Sequence, residues 1–208
     1  MKCIEIMENY QSAALFNRNG YIHVKNVLDK NICNFLTHVL LRKSSQQIVD
    51  DDQVPNCIAT MDHEIMFETV LEKIWSDIEY ATGKNLLPTY AYSRLYVNGN
   101  VLERHSDREE CEISVTLQLG RSHHYSWPIF MNGKRCDLGE GDAVIYKGCD
   151  LDHWRNACDG PDGYYSGQVF LHFVDANGPY SDRACDIKNR KSYSSMFVKN
   201  RDFLMENK

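Results

Sequence analysis

Apolar and polar residues follow two rhythms along this chain. Through residue 85 the spacing is mostly helical. In "KNICNFLTHVLLRK", Ile32, Phe35, Leu36, Val39 and Leu40 recur at three- and four-residue intervals, and Asp29 stands where an N-cap carboxylate belongs. In "HEIMFETVLEKIWSDIEYATG", Ile65, Phe67, Val70, Leu71, Ile74 and Ile78 fall near one face, and Gly83 suits the C-cap. "GYIHVKNVL" alternates loosely and predicts a strand before the first of these helices. "SSQQIVDDDQVPNC" is polar and predicts a loop between them. From Leu86 the rhythm shortens. "TYAYSRLYV", "CEISVTLQLG", "WPIFMNG", "DAVIYKG" and "GQVFLHFVD" are rich in aromatic and β-branched residues and are parted by Gly, Asn and Asp turns. Helices first and strands after predict an α+β fold, a β-sandwich or jelly roll backed by N-terminal helices.

Composition narrows the class. The 208 residues, 43% hydrophobic and 25% charged, suit one globular domain with a substantial core. The expected division is helical support over residues 1–85, a strand core over 86–180 and a polar, basic extension over 181–208. No apolar run reaches membrane-spanning length, and "MKCIEIMENY" is acidic where a signal peptide is apolar. The expectation is a soluble, cytoplasmic protein. A net charge of −6 argues against a broad nucleic-acid surface. The eight cysteines are scattered without a C-x-x-C pair, which favours reduced, mostly buried thiols over disulfides or a zinc knuckle.

The chemistry concentrates in "YVNGNVLERHSD", Tyr96 to Asp107. A mononuclear non-haem iron site needs two imidazoles and one carboxylate on one face of the metal, with the remaining positions open. His105 and Asp107, at i and i+2 from the end of a strand, point to the same side. The third ligand must come from a strand packed alongside, and His153 in "GEGDAVIYKGCDLDHWR" is the candidate. Other histidines carry blander roles. His23 and His38 suit the N-terminal strand and helix, His63 a cap, and His123 and His124 a hairpin loop. His172 lies in the last strand, where it can face a pocket.

Taken together, Tyr96, Gly99, His105 and Asp107, the strand "ISVTLQL", the turn and strand "GEGDAVIY" and the distal His153 resemble the Fe(II)- and 2-oxoglutarate-dependent oxygenases. The likeness is to their prolyl-4-hydroxylase-like branch, in an uncharacterised subgroup, and extends over residues 18 to 178. The resemblance implies a double-stranded β-helix, a jelly-roll barrel with the metal at one mouth. It implies Fe(II), 2-oxoglutarate and O2 as cofactors, with His105, Asp107 and His153 as metal ligands. It also implies oxidative decarboxylation of 2-oxoglutarate to succinate and carbon dioxide, coupled to hydroxylation of a substrate. Members that halogenate lack the carboxylate ligand, so the presence of Asp107 favours hydroxylation.

One position departs from the pattern. The branch holds the distal carboxylate of its cosubstrate with a Lys or Arg at the start of the last strand. Here that region reads "DGPDGYYSGQV", and the strand alignment puts a neutral amide, Gln168, in its place. Arg155, two residues past His153, Arg94, two residues before Tyr96, and Lys147 are the replacement candidates. Tyr96 is expected to give a hydroxyl contact. The substrate expected is an amino acid, a peptidyl residue such as proline, or another small metabolite. Arg104, Arg108, Glu109, Glu110 and Glu112 either bind a charged substrate or form a solvated loop edge, and Trp127 and Trp154 either line the mouth or fill the core. The alternatives are a non-catalytic jelly-roll module that keeps the fold and a metal, and a zinc-type hydrolase, for which no carboxylate stands out as general base.

Overall fold

A computed structural model describes residues 2–45, 51–62 and 64–184, with backbone alone over 2–10. Three helices precede most of the strands: α1 (Lys2–Asn19), α2 (Lys30–Ser44) and α3 (Ile65–Thr82). Asp29 caps α2 by accepting the backbone N–H of Asn31 at 2.8 Å. Gly83 ends α3 in the left-handed conformation, φ 68°, with its N–H on the carbonyl of Glu79.

Ten strands form two antiparallel sheets. They are β1 (Tyr21–Val24), β2 (Ala59–Asp62), β3 (Leu86–Val97), β4 (Leu102–His105), β5 (Ile113–Arg121), β6 (Ile129–Met131), β7 (Lys134–Cys136), β8 (Ala143–Lys147), β9 (His153–Arg155) and β10 (Tyr165–Asp175). The larger sheet has the order β1-β8-β5-β10-β3-β2, the smaller β4-β9-β6-β7. Asn132 and Gly133, both at positive φ, make the tight turn between β6 and β7.

Strand alternation gives the large sheet two unlike faces. Val169, Leu171 and Phe173 of β10, Val115 and Leu117 of β5 and Ile145 of β8 join Leu36, Leu40, Phe67, Leu71 and Ile74 of the helices in the main hydrophobic core. The residues between them, Gln168, Phe170 and His172 on β10 and Ser114, Thr116 and Gln118 on β5, turn toward the small sheet and are buried there. The main core thus lies on the helix side of the large sheet; on the other side polar side chains sit among two smaller apolar clusters, one around Ile129, Met131, Val144 and Leu151 and one around Tyr96, Leu102, Trp127 and Phe170. Gly141 shapes the turn ahead of β8. It sits at φ 82°, and a Cβ there would come within 2.3 Å of the Leu28 carbonyl.

Several expectations need correction. Spacing puts Phe35 and Ile65 on the apolar helix faces, but they are 61% and 70% exposed; Cys33 and Thr37 take the inward places on α2 beside Leu36 and Leu40. The helix α1 and the short strands β2 and β7 carry no pattern strong enough to predict them. The extension beyond Ala184 and the capping role of His63 lie outside the described residues. Cys33, Cys57, Cys111, Cys136, Cys149 and Cys158 are free thiols. Among the described residues no helix is long and apolar enough to cross a membrane.

Candidate metal centre

Strands β4 and β9 pair so that His105 stands opposite His153. Asp107 follows β4 by two residues, and its backbone N–H is fixed on the carbonyl of Gly148, 2.8 Å away. The three side chains converge. Nε2 of His105 lies 3.7 Å and Nε2 of His153 3.6 Å from Oδ1 of Asp107, and the two rings are 4.2 Å apart at their centroids.

Each of the three turns one ligand atom toward the others while its other polar atom is tied back; Nε2 of His105 also meets the Gln53 side-chain nitrogen at 2.9 Å, and Nε2 of His153 the Tyr146 hydroxyl at 3.4 Å. Nδ1 of His105 donates to the carbonyl of Glu103 at 2.7 Å, and Nδ1 of His153 to that of Leu151 at 3.1 Å. Both rings are thereby held in the tautomer whose Nε2 carries a lone pair. Oδ2 of Asp107 accepts from the Ser114 hydroxyl at 2.7 Å, which leaves Oδ1 toward the histidines. Burial lowers the pKa of His153, against the pull of Asp107, so its imidazole stays neutral as a ligand must be. Two imidazole nitrogens and one carboxylate oxygen on one side fit a mononuclear divalent metal of the non-haem iron type, and the same donors accept other first-row ions.

Behind the carboxylate stands a small network that sequence spacing did not reveal. Ser114 has one proton, and at 2.7 Å it goes to Asp107. Nδ1 of His172, 3.0 Å from the same oxygen, is therefore the donor to Ser114. Burial lowers the His172 pKa to about 4, which keeps it neutral, and its ring lies 4.6 Å from that of Tyr90. Gly148 backs the group so closely that a Cβ would fall 2.1 Å from the Cys111 carbonyl and 2.6 Å from Oδ2 of Asp107.

The metal group opens into a cavity of about 390 Å³. Tyr90, Tyr92 and Phe170 give it aromatic walls; Arg94, Arg108 and His172 give it polar ones. Of the charged residues around His105, Arg108 reaches the cavity, whereas Arg104 lies over the outer face of Trp154 and pairs with Asp152. Neither tryptophan lines the cavity. Trp127 packs edge-on against Tyr96, and Trp154 stacks on Phe130.

The cosubstrate candidates separate by depth and by charge. Lys147 follows Ile145 on the helix side of β8, away from the cavity. Arg94 lines the cavity but is already neutralised. Its Nε and one terminal nitrogen grip both oxygens of Asp51 at 2.9 and 3.1 Å, and the other terminal nitrogen donates to the Tyr96 hydroxyl at 3.0 Å. Burial opposes the charge on Arg94, yet Tyr96, Tyr92 and Asp51 hold its pKa above the usual arginine value. Arg155, Gln168 and Tyr96 lie beyond the cavity lining in the buried interior. Arg155 is 1% exposed and donates to the Trp127 carbonyl and, at 3.0 Å, to Oε1 of Gln168. Its Nε has no hydrogen-bond partner, and burial lowers its pKa to about 10. Among the described residues no carboxylate pairs with it.

No family model matches this sequence, and no curated relative matches it. Solved structures do resemble it in fold. The non-haem alpha-ketoglutarate-dependent epimerase SnoN of nogalamycin biosynthesis superposes with a TM-score of 0.67 and 14% identity, over 82% of this chain and 83% of that one. HygX from Streptomyces hygroscopicus, solved with nickel and 2-oxoglutarate bound, gives 0.62 and 8%, over 80% and 87%. A prolyl-4-hydroxylase from Pseudomonas putida gives 0.57 and 13%, over 79% and 98%. The chain therefore has the fold found in 2-oxoglutarate-dependent iron oxygenases.

Proposed function

We infer that this protein is an Fe(II)- and 2-oxoglutarate-dependent dioxygenase that hydroxylates an amino acid, a peptidyl residue such as proline, or another small metabolite. The observation that carries this is the triad His105, Asp107 and His153, with every second polar atom tied back so that two Nε2 atoms and Oδ1 face one point. The fold supports the same reading, with the two sheets as the halves of a double-stranded β-helix.

His105, Asp107 and His153 would hold the metal. Once bound, Fe(II) with 2-oxoglutarate and O2 supplies the oxidising chemistry, releasing succinate and carbon dioxide. The protein's own contribution is binding and orientation. A dicarboxylate drawn into a buried interior needs a cation that no internal acid has already neutralised. Arg94 is matched by Asp51, whereas Arg155 keeps a buried positive charge and an unpartnered Nε. Arg155, flanked by Gln168 and Tyr96, is accordingly the residue assigned to the distal carboxylate. Arg94 is assigned to the structural pair. The cavity is in the size range of small-molecule sites, and its tyrosine, phenylalanine, arginine and histidine walls suit a small polar substrate or a single side chain.

The test is anaerobic titration of the protein with Fe(II) and then 2-oxoglutarate, followed by the weak visible charge-transfer band of a chelated 2-oxo acid. A band in the parent that weakens in Arg155→Ala supports both assignments. His105→Ala and Asp107→Ala are expected to abolish succinate formation, and unchanged succinate in both would overturn the reading. Iron binding without the band or oxygen uptake favours the non-catalytic module instead, which the neutral Gln168 on the last strand would suit.

A further inference from the structure

The lone pair on Nε2 of His105 already has a claimant. Nδ1 of that ring donates to Glu103, so Nε2 is the acceptor. The side-chain nitrogen of Gln53, an exposed residue far back in the sequence, lies 2.9 Å from it. The orientation of this amide follows from its partners. Arg94 has only hydrogens to give, so the Gln53 oxygen faces Arg94 at 3.1 Å and the NH2 group faces His105.

A histidine nitrogen bonds a zinc-sized ion at about 2.0–2.1 Å through the same lone pair. One lone pair serves one partner. We propose that Gln53 gates this site: its side-chain amide and a divalent cation exclude each other at Nε2 of His105, so metal entry swings the Gln53 side chain out. The proposal rests on the reading of His105, Asp107 and His153 as metal ligands.

The turn that carries Gln53 is built to move one side chain and keep the rest in place. Asp51 is pinned by Arg94 and by the Tyr92 hydroxyl at 2.7 Å, and its Oδ1 accepts the backbone N–H groups of Gln53 and Val54 at 3.0 and 2.8 Å. Val54 is fully buried. Gln53 lies between these anchors with an exposed side chain held only at its tip. When the amide leaves His105 it also gives up its bond to Arg94, so metal occupancy is felt at the Arg94–Asp51 pair in the cavity wall.

Zn(II) titration of the full chain by calorimetry tests this, using the parent, Gln53→Ala, Gln53→Asn and His105→Ala. Removing the competitor should tighten Zn(II) binding by roughly 3- to 10-fold, the weight of one hydrogen bond. Gln53→Asn, whose amide falls one methylene short, should match Gln53→Ala. Zn(II) should also shift the Gln53 side-chain amide resonance in the parent. If His105→Ala loses Zn(II) but neither Gln53 variant gains affinity, the gate falls and the metal reading stands. If the parent takes up no Zn(II), or His105→Ala binds like the parent, the metal reading falls and the gate with it.

Discussion

A carboxylate that ligates a metal through one oxygen has a second oxygen that must be satisfied elsewhere, or the group rotates. For Asp107 that duty falls to Ser114, whose own proton direction is set by His172. Ser114→Ala removes the hydrogen bond and frees the carboxylate to turn. Metal affinity is expected to fall by about 10–100-fold, the usual weight of such outer partners, and thermal stability to fall as well, because the buried Nδ1–H of His172 loses its acceptor; competitive metal titration and thermal unfolding check the two. Gly148→Ala should be harsher, because its Cβ would collide with the Cys111 carbonyl and the Asp107 carboxylate together. Loss of Zn(II) binding and a lowered Tm are both expected in that variant. The convergence of His105, Asp107 and His153 was legible in the sequence, since His-x-Asp at a strand end and a histidine after a Gly-Asp turn and strand carry their own geometry. Ser114, Gly148 and Gln53 were not. Their roles come from contacts between residues far apart in the chain, and no local spacing announces them.

Within single elements, legibility followed periodicity. The cap and apolar stripe of α2 and the Gly83 end of α3 stood out because a helix face repeats over several turns. Phe35 and Ile65 show the limit, since spacing gives an angular position but not the edge of the neighbouring sheet. On β3 and β9, alternation put Arg94 and Arg155 on inward faces but could not say which had an acid beside it. Asp51 settles that, from a loop whose sequence is simply polar. Its carboxylate is buried with Arg94, the two side chains 5% and 4% exposed. Removing one partner of such a pair strands the other charge, so Asp51→Ala is expected to cost about 3–5 kcal/mol in chemical denaturation. Arg155→Ala should separate stability from 2-oxoglutarate binding. It removes an interior cation with no acid partner, so stability should fall far less than in Asp51→Ala, while 2-oxoglutarate affinity falls steeply. Equal destabilisation of the two variants with unchanged 2-oxoglutarate binding would return Arg155 to a purely structural role.

At the level of the molecule, the two-faced large sheet divides the labour: the main apolar core sits with the helices, and the interior toward the small sheet mixes buried polar groups with smaller apolar clusters. The buried histidines of that interior stay neutral at a cost that depends on pH. Burial holds His172 at about 4 in the folded protein, whereas an unfolded chain protonates it near its ordinary value of about 6.5. Above about pH 6.5 the ring is neutral in both states and costs nothing. As pH falls from there toward 4 the unfolded chain takes up a proton that the fold refuses, and stability drops with it. The interval corresponds to about 3 kcal/mol for this one residue. His153, also lowered by burial, adds to the same trend. Denaturation between pH 7 and 4 should therefore show stability declining through that window, and His172→Asn should flatten part of the slope while keeping a side-chain donor for Ser114. A slope unaltered by this replacement would mean that His172 takes its proton inside the folded interior, and that the interior between the sheets is wetter than its packing implies.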